Sequence, residues 1–243
     1  MFYSERQDKI IELLKKRENA SVHFLSKELY VSEPTIRRDL AQLEAEGKIK
    51  RTFGGAVLTD AIQHDVPFSL RIRDNTDAKD IIAEKASELL LDGMVIFLDA
   101  STTVSHLVKY IEKSENLTVI TNNPMLPAQL AAFNIRTFLT GGELLGHSLA
   151  LVGNHAENFV RNFNADAFFF SCRGVTADGT LTDMSVSETE LRRAMMKQSK
   201  KNVLMVDDSK IGKKYMYNLC TVRELDAVVC NKEIPPQWKT KEE

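Results

Sequence analysis

The sequence predicts an α/β protein: a small N-terminal domain of three short helices and a β-hairpin, then a larger, mostly parallel α/β domain. In about the first 58 residues, apolar side chains recur at helical spacing in three segments and then alternate around a Gly-Gly pair. From about residue 76 onward, short apolar runs alternate with helical stretches, which is typical of a parallel sheet covered by helices. The chain has 243 residues, 43% of them hydrophobic, which is enough for a small domain joined to a medium one.

The first two predicted helices are short and amphipathic. The first covers residues 6–16, and its apolar side chains at helical spacing are Ile10, Ile11, Leu13 and Leu14. Ser21 is the predicted N-cap of the second helix, because its hydroxyl can accept a hydrogen bond from a free N–H of the first turn. The apolar face of the second helix is Val22, Leu25 and Leu29.

The third predicted helix begins in "VSEPTIRRDL" and leads into the hairpin. Ser32 is its predicted N-cap, and Pro34 fits the first turn because its missing N–H has no helical partner there. Gly47 is predicted to follow its last turn. Its apolar face is Ile36, Leu40 and Leu43. The segment "KIKRTFGGAVL" alternates around its two glycines and predicts the hairpin.

Residues 59–75 are predicted to link the two domains. This segment is polar, contains a proline and has no strong hydrophobic period, and a helix start follows it near Thr76. The predicted boundaries are therefore 1–58 for the N-terminal domain, 76–235 for the α/β domain and 236–243 for a polar tail.

Six short apolar runs predict the strands of the second domain. They are "MVIFLD", "LTVIT", "IRTFLT", "DAFFFSC", "NVLMVD" and "DAVVC". Helices are predicted between most of them, over about residues 77–91, 103–113, 124–132, 154–163 and 187–199. In open sheets of this kind, ligands bind beyond the carboxyl ends of the strands.

The third helix has an exposed face that suits close approach to a large ligand. At about 100° per residue, four residues point directly away from its apolar face: Pro34, Arg38, Ala41 and Ala45. Thr35 and Gln42 lie on one flank and Arg37 on the other. Two helices joined by a tight turn and followed by a hairpin form a winged helix-turn-helix, which places its second helix in the major groove of DNA.

Double-stranded operator DNA is therefore the predicted partner of the N-terminal domain. The net charge of −2 excludes a uniformly basic surface, but residues 37–51 contain five Lys or Arg against three acidic residues. Because the two adjacent arginines diverge around the helix, Arg38 is expected at base edges and Arg37 at a phosphate. Ordinary solvated arginines are the alternative interpretation. The predicted DNA-contacting residues are Ser32, Pro34, Thr35, Arg37, Arg38, Gln42, Lys50 and Arg51.

The stretch "FLDASTTVSHLVKYI" predicts an anion site in the second domain. An apolar strand ends in Asp99, a turn of small residues follows, and a helix begins. Free N–H groups at a helix N-terminus bind anions, so Ser101, Thr102 and Thr103 are predicted to hold a phosphate. Asp99 is predicted to orient a sugar hydroxyl. A plain helix cap on a strand–helix turn is the alternative.

Three further strand ends add candidate residues to the same crevice. Thr121 and Asn122 follow one strand, and Gly141 and Gly142, which allow close approach of the backbone, follow the next. Lys210, in "MVDDSKIG", is a compact charge suited to phosphate, with an exposed loop lysine as the alternative.

"FFFSCRGVTADGTLTD" and the helix after it are less specific. Arg173 is a candidate second phosphate ligand, and Cys172 is predicted to be a core or strand-end residue. Glu188 or Glu190, on the amphipathic helix that follows, is an additional candidate for the crevice.

The sequence resembles the DeoR-type bacterial transcription regulators over nearly its whole length. The resemblance lies in "QDKIIELL", in "TIRRDL" with its later glycine and "GGA", and in "LDASTTV" and "DDSKIG". It implies that the helix with Thr35, Arg37 and Arg38 lies on operator DNA, and that the protein is a repressor released by a phosphorylated sugar or related metabolite. It also implies a ligand role for Lys210 and a second domain folded like ribose-5-phosphate isomerase and CoA transferases. Many members have small residues where this chain has Cys172 and Arg173.

Other motifs are absent from the sequence. It contains no nucleotide-binding glycine loop and no H-E-x-x-H, and its five histidines have no metal-ligand spacing, so neither a cofactor nor a metal is predicted. Its three cysteines are far apart, which favours a reducing, cytoplasmic location over a disulfide framework. No signal peptide or membrane segment is predicted, and hence no membrane partner.

Two functional alternatives accompany this prediction. One is a sugar-phosphate isomerase-like enzyme fused to a DNA-binding module, with Asp99 as base and Lys210 as phosphate clamp, although no second carboxylate is placed for proton shuttling. The other is an activator, or a regulator that senses no small molecule. A homo-oligomer is expected, because paired modules on repeated half-sites gain affinity and specificity.

Overall fold

The computed structural model describes residues 3–17, 19–46, 48–52, 54–58, 68–112, 115–238 and 240–241. The chain divides into two compact units, Met1–Val66 and Pro67–Glu243. Among the described residues, no helix is both long and apolar enough to cross a membrane.

The first unit contains the three predicted helices and the hairpin. The helices are α1 (Tyr3–Arg17), α2 (Val22–Leu29) and α3 (Glu33–Ala45). The strands are β1 (Asn19–Ser21), β2 (Ile49–Thr52) and β3 (Gly55–Leu58), in the order β1-β3-β2 with antiparallel pairing. Strand β1 has only three residues, too few for a hydrophobic period, and the sequence prediction missed it. Gly55 lies opposite Ser21, where a Cβ atom would clash with the carbonyl of Ala20.

The predicted helix caps of the first unit are confirmed. The Ser21 hydroxyl accepts a hydrogen bond from the Phe24 N–H at 3.1 Å, and the Ser32 hydroxyl accepts one from Thr35 at 3.4 Å. The predicted inward residues of α2 and α3 are all buried, whereas α1 buries Ile10 and Leu14 more deeply than its other apolar side chains. Gly47, the predicted residue after α3, lies outside the described residues.

The second unit is built on a parallel six-stranded sheet in the order β14-β12-β9-β4-β5-β6. All six predicted runs form its strands, which are β4 (Val95–Leu98), β5 (Thr118–Thr121), β6 (Arg136–Leu139), β9 (Ala165–Phe170), β12 (Ser199–Val206) and β14 (Ala227–Cys230). The described helices of this unit are α4 (Phe68–Arg71), α5 (Thr76–Ser87), α6 (Thr102–Ser105), α7 (Val108–Ile111), α8 (Pro127–Ala131), α9 (Asn154–Val160) and α10 (Val186–Lys197). Single 3-10 turns cover Asp208–Lys210 and Val222–Glu224.

Two small antiparallel sheets accompany the main sheet and were not predicted. One pairs β7 (Glu143–Leu145) with β8 (Ala150–Val152). The other joins β10 (Gly174–Val175), β11 (Thr180–Asp183) and β13 (Tyr217–Thr221). These strands have two to five residues each, so their pairing depends on tertiary contacts more than on a pattern in the sequence.

The triple phenylalanine of β9 connects the two apolar layers of the second unit. Phe168 and Phe170 stack on one face with ring centroids 4.8 Å apart, and Phe97 of β4 meets Phe168 edge-on at 6.2 Å. Phe169 packs on the opposite face with Ile96. This alternation is the strand period of two, and it explains why a continuous apolar run is needed in a sheet covered on both faces.

The segments before and after the predicted α/β domain also pack on the second unit. Residues 59–67 of the predicted linker lie outside the described residues, but Phe68 is buried and its N–H donates to the His147 carbonyl at 2.8 Å. In the predicted polar tail, Trp238 is buried and its indole N–H donates to Ala177 at 3.3 Å. In each of these polar segments, one aromatic residue is buried by tertiary packing that the local sequence pattern does not indicate.

Candidate functional site

Helix α3 presents the exposed face that its sequence predicts. Arg37 and Arg38 are both exposed, and so are Pro34, Gln42 and Ser32. Thr35 is half-buried, with its hydroxyl 2.9 Å from that of Ser32. Among the described residues, the ion pair of Arg37 is a long contact of 3.5 Å with Glu33, so its guanidinium can leave that contact for a phosphate at little cost.

Asp39 is a buried acid in the middle of this otherwise exposed polar run. Its two carboxylate oxygens accept hydrogen bonds from Arg6 of α1, from Nε at 2.5 Å and from Nη2 at 3.1 Å. The pair fastens α3 to α1 with a fixed geometry, because a two-pronged arginine–carboxylate contact sets orientation as well as distance. The sequence prediction missed this contact, since nothing in the local pattern distinguishes Asp39 from a solvated acid.

The hairpin after α3 contributes Arg51 to the same surface. Glu44 of α3 accepts hydrogen bonds from the Arg51 backbone N–H at 2.9 Å and from its Nε at 2.6 Å. The backbone hydrogen bond from Arg51 lowers the pKa of Glu44. Arg37 and Arg51 line one groove of about 310 Å³ in the first unit. The side chain of Lys50 lies outside the described part of the chain.

The second unit contains a cavity of about 160 Å³ beyond the carboxyl ends of β4, β9 and β12. Of the predicted site residues, Ser101, Thr102, Arg173 and Lys210 line it. The other residues lining it are Arg71, Asp74, Asn75, Lys79, Ala100, Ser171, Cys172, Asp183, Glu188, Arg192, Asp207, Ser209, Lys213 and Tyr215. Among the described residues it therefore has six basic and four acidic side chains in its wall.

Asp99 lies beneath this cavity and accepts hydrogen bonds from several residues that line it. One carboxylate oxygen accepts a hydrogen bond from the Ser101 N–H at 2.9 Å, and the other accepts from the Ser171 N–H at 3.3 Å. The second oxygen also accepts from Arg192 Nε at 2.9 Å. Because Asp99 is buried with protein donors on both oxygens, its geometry suits a positioning role more than the predicted contact with a sugar hydroxyl.

Arg192 is surrounded by three carboxylates. Its nitrogens donate to Asp99 and Asp183 at 2.9 Å each and to Glu188 at 3.2 Å. Burial opposes the charge of Arg192, but Asp183, Asp99 and Glu188 more than offset this and raise its pKa. Burial likewise opposes ionisation of Glu188, yet Arg192 lowers the pKa of that carboxyl. Arg192 and Glu188 are therefore both ionised at neutral pH.

Two lysines meet on the side of the cavity nearest β12. Lys210 Nζ donates to the Ser171 hydroxyl at 2.9 Å and to the Thr103 hydroxyl at 3.4 Å, and lies 3.6 Å from Asp207. Lys79 of α5 is buried, and its Nζ donates to the carbonyls of Arg71 and, at 2.6 Å, Asp74. Burial, reinforced by Lys210, lowers the pKa of Lys79 to about 8.

Two arginines meet on the side nearest α10. Burial, reinforced by Arg173, lowers the pKa of Arg71 to about 10, while Glu188 acts in the opposite direction. Arg173 and Arg71 also help to lower the pKa of Glu188. Of the two acids that the sequence offered for this region, Glu188 lines the cavity and Glu190 pairs with Arg193 at the surface.

Asp99 and Thr103 contact lining residues without lining the cavity themselves, and four further predicted residues lie outside it. Thr121 donates from its hydroxyl to the Leu98 carbonyl at 2.8 Å, and Asn122 donates to the Leu151 carbonyl at 3.1 Å. Gly141 and Gly142 have φ angles of +68° and +108°, and a Cβ at Gly142 would clash with the Val152 carbonyl. The strand order explains this arrangement, because β5 and β6 lie on the side of β4 away from β9 and β12.

Neither a reactive thiol nor a metal site is indicated among the described residues of this cavity. Cys172 lines it, but burial raises the pKa of the thiol to about 12, so it is no nucleophile at neutral pH. Within the described ranges, no three His, Cys, Asp or Glu side chains are grouped as a metal site would need. Among the lining residues that sequence reasoning missed are Arg71, Lys79 and Arg192. Arg71 falls in the predicted linker, and the other two lie on helices with ordinary amphipathic patterns.

Two family models match the chain, and together they cover most of it. The DeoR-like helix-turn-helix domain matches residues 6–61, and the DeoR C terminal sensor domain matches residues 74–232. The chain is 37% identical to the HTH-type transcriptional regulator GolR of Listeria innocua, over 96% of this chain and 92% of that protein. It is 31% identical to the Glycerol-3-phosphate regulon repressor of Escherichia coli, over 94% of this chain and 90% of that one.

Solved structures resemble the chain at much lower identity. The chain is similar to eIF2B delta from Chaetomium thermophilum, with a TM-score of 0.50 and 15% identity over 68% of this chain and 60% of that one. It is also similar to ribose 5-phosphate isomerase A from Methanocaldococcus jannaschii, with a TM-score of 0.43 and 16% identity over 57% of this chain and 55% of that one.

Proposed function

This chain belongs to the DeoR family of transcriptional regulators, and from that premise we propose that it is a repressor of carbohydrate-utilisation genes controlled by a phosphorylated sugar or polyol. The effector part of this proposal rests on the cavity beyond β4, β9 and β12. Among the described residues, its wall has six basic side chains and four acidic ones. A phosphate group is the small anion that such a wall favours.

The contact with operator DNA is assigned to α3 and the hairpin. Arg38 and Pro34 face outward for the base edges, and Arg37 and Arg51 share a groove at the side for phosphates. The proposed contacts also include Ser32, Thr35 and Gln42, which lie on the same surface. Glu44 supports Arg51, and Asp39 supports the helix itself.

The effector contacts are assigned to the residues that line the cavity. Lys210, with Ser171 and Thr103 as hydroxyl neighbours, is the proposed phosphate ligand, and Ser101 and Thr102 line the same cavity. The Escherichia coli relative, which matches nearly the whole chain, is named for a phosphorylated polyol, glycerol 3-phosphate, and this supports an effector of that class.

The effector controls operator binding through a coupling free energy between the two sites. An effector that binds the second unit more tightly in the DNA-free protein lowers the operator affinity of the first unit by the same factor. We expect a homo-oligomer on repeated half-sites, acting in the cytoplasm. The relatives are named as regulators, so the isomerase-like alternative is set aside.

The test is operator binding by fluorescence anisotropy, on DNA from upstream of the protein's own gene, with and without a panel of phosphorylated sugars and polyols. Lys210→Ala should bind the operator like the wild type and lose the response to the effector. Lys200→Ala is the matched control, since Lys200 is an exposed lysine that pairs with Asp166. A Lys210→Ala protein that responds normally would exclude the phosphate-ligand role.

A further inference from the structure

The turn between α2 and α3 contains a tyrosine in a backbone conformation that a large side chain disfavours. Tyr30 ends α2 with φ +54° and ψ +42°, which is the left-handed region. A Cβ atom there comes close to a backbone carbonyl, so glycine and asparagine are the usual residues. Three other described residues with positive φ fit that rule, namely Asn75, Asn116 and Asn134. The shape of the turn therefore does not explain why residue 30 is a tyrosine.

The turn is held together without the Tyr30 side chain. The Ser26 hydroxyl donates to the Val31 carbonyl at 2.6 Å, and the Val31 N–H donates to the Ser26 carbonyl at 3.2 Å. Val31 also packs against the apolar core of the first unit. Tyr30 is 94% exposed, and its hydroxyl makes no hydrogen bond within the described part of the chain. Its side chain thus adds backbone strain and contributes no contact that stabilises the fold.

Tyr30 lies beside the end of α3 that is proposed to meet DNA. Ser32, the N-cap of α3, is only two residues further on, so the two Cα atoms are within about 7 Å. Tyr30 and Ser32 are both exposed, whereas Val31 between them packs inward, so the first two lie on the outer side of the turn. In a helix-turn-helix, the N-terminal residues of the second helix are the ones that contact DNA.

We propose that the Tyr30 hydroxyl donates a hydrogen bond to a DNA phosphate beside the N-terminal end of α3. This rests on the proposed function and adds a contact that the helical spacing of α3 does not reveal. Tyrosine hydroxyls are among the groups that bind phosphate oxygens and so orient a protein on the duplex without reading a base. Because the hydroxyl is uncharged, this contact differs from those proposed for Arg37 and Arg51, which neutralise a phosphate and release counterions.

The experiment compares three variants of the full-length protein with the wild type. Tyr30→Phe removes only the hydroxyl, and Tyr30→Asn removes the ring while keeping a residue that tolerates the left-handed region. Tyr217→Phe is the matched control, because it removes a hydroxyl from a half-buried tyrosine of β13 in the second unit. Fluorescence anisotropy measures binding to DNA from upstream of the protein's own gene and to an unrelated duplex, at several salt concentrations. Urea unfolding and light scattering measure stability and assembly size.

Tyr30→Phe should weaken binding to both DNAs by the same factor, about threefold to tenfold, as expected for one lost hydrogen bond. The slope of log affinity against log salt should stay unchanged, because no cation is removed. Tyr30→Asn should weaken binding at least as much, while its urea midpoint stays the same or rises, because the strained residue is gone. Tyr217→Phe should bind both DNAs like the wild type.

Four results would overturn the inference. Tyr30→Phe could bind both DNAs normally, or its loss could be confined to the upstream DNA, which would indicate a base contact. Tyr30→Asn could lower the urea midpoint, which would show that the side chain serves the fold, or reduce the assembly size, which would indicate a contact between copies of the chain. A wild type without preference for its upstream DNA would contradict the proposed function, but the unrelated duplex would still test Tyr30, since a phosphate contact does not depend on sequence.

Discussion

Arg6 of α1 holds the buried carboxylate of Asp39 in α3 through two hydrogen bonds, of 2.5 Å and 3.1 Å. Asp39 follows immediately after Arg38, so the pair determines how the exposed face of α3 is oriented relative to the rest of the first unit. Asp39 thus both stabilises the first unit and orients the surface that is proposed to bind DNA.

Asp39→Asn should destabilise the protein and weaken operator binding together. The substitution removes the negative charge that faces the largely buried Arg6 guanidinium, and breaking such a pair from one side costs about 3–5 kcal/mol. Urea unfolding and operator anisotropy on the same preparations measure the two effects. Asp8→Asn is the control, because Asp8 is an exposed acid on α1, the helix that carries Arg6. A variant with unchanged stability would show that the pair contributes nothing net.

Substitutions of the two adjacent arginines of α3 should affect DNA binding in different ways. Arg37→Ala should weaken binding to all DNA sequences about equally and reduce the slope of log affinity against log salt by about one, because one phosphate contact is lost. Arg38→Ala should instead reduce discrimination between operator and unrelated DNA, by about 1–3 kcal/mol. Titrations on both DNAs at several salt concentrations distinguish them. Identical behaviour of the two variants would contradict the assignment.

The affinity for a phosphorylated effector should decrease as the pH rises above about 8. The pKa of Lys79 is lowered to about 8 in the unliganded protein, so Lys79 loses its proton in this range, whereas a bound anion favours the protonated form. Binding then requires proton uptake, and the affinity decreases by up to about tenfold per pH unit. Calorimetry between pH 7 and 9.5 measures it, since the phosphate itself is fully ionised there. Lys79→Met should bind more weakly at neutral pH and lose this dependence.

The same pKa has a consequence for stability without ligand. A lysine whose pKa is lower in the folded than in the unfolded protein disfavours folding most when it is protonated in both states. The Lys79 contribution to the free energy of unfolding should therefore rise as the pH increases from about 8 towards the ordinary lysine pKa of 10.5. A Lys79→Met protein lacks that rise, and the difference between the two stability profiles isolates it.

Arg192→Met should be among the most destabilising single changes in the second unit. It leaves Asp99, Asp183 and Glu188 buried without their cation, at a cost of about 3–5 kcal/mol. Adding Glu188→Gln should recover part of the loss, because one uncompensated charge is removed. Thermal and urea unfolding measure both, with Arg161→Met as the surface control. If the double variant is no more stable than Arg192→Met alone, charge is not the cause.

In the wild type, the cluster around Arg192 should contribute less to the free energy of unfolding at low pH. Because Arg192 lowers the pKa of Glu188, that carboxylate stabilises the fold above its ordinary pKa of 4.5, and the contribution is lost as the pH falls through the lower folded value. The stability difference between wild type and Glu188→Gln should therefore shrink at low pH. A difference that stays constant between pH 7 and 4 would contradict the ionised state assigned to Glu188.

Much of the fold was predictable because its signals are local. Three amphipathic helices, two serine caps and six apolar runs are each encoded within a few consecutive residues, and each lies where it was expected. The exposed face of α3 follows from helical geometry alone, once Ile36 and Leu40 are assigned to the interior. Residues at the ends of single strands, such as Ser101 and Lys210, were recognisable for the same reason.

The tertiary structure decided which of the strand ends share a cavity. Strand order is a long-range property, and it places β9 and β12 beside β4 on one side while β5 and β6 lie on the other. Thr121 and Gly141 were therefore predicted by the same local logic as Ser101, yet only Ser101 lines the cavity. Arg71, Lys79 and Arg192 gain their importance from neighbours tens of residues away. The sequence by itself determined the main helices, the six strands of the parallel sheet and the class of protein, whereas the charges that meet around the proposed effector site depend on packing between distant segments.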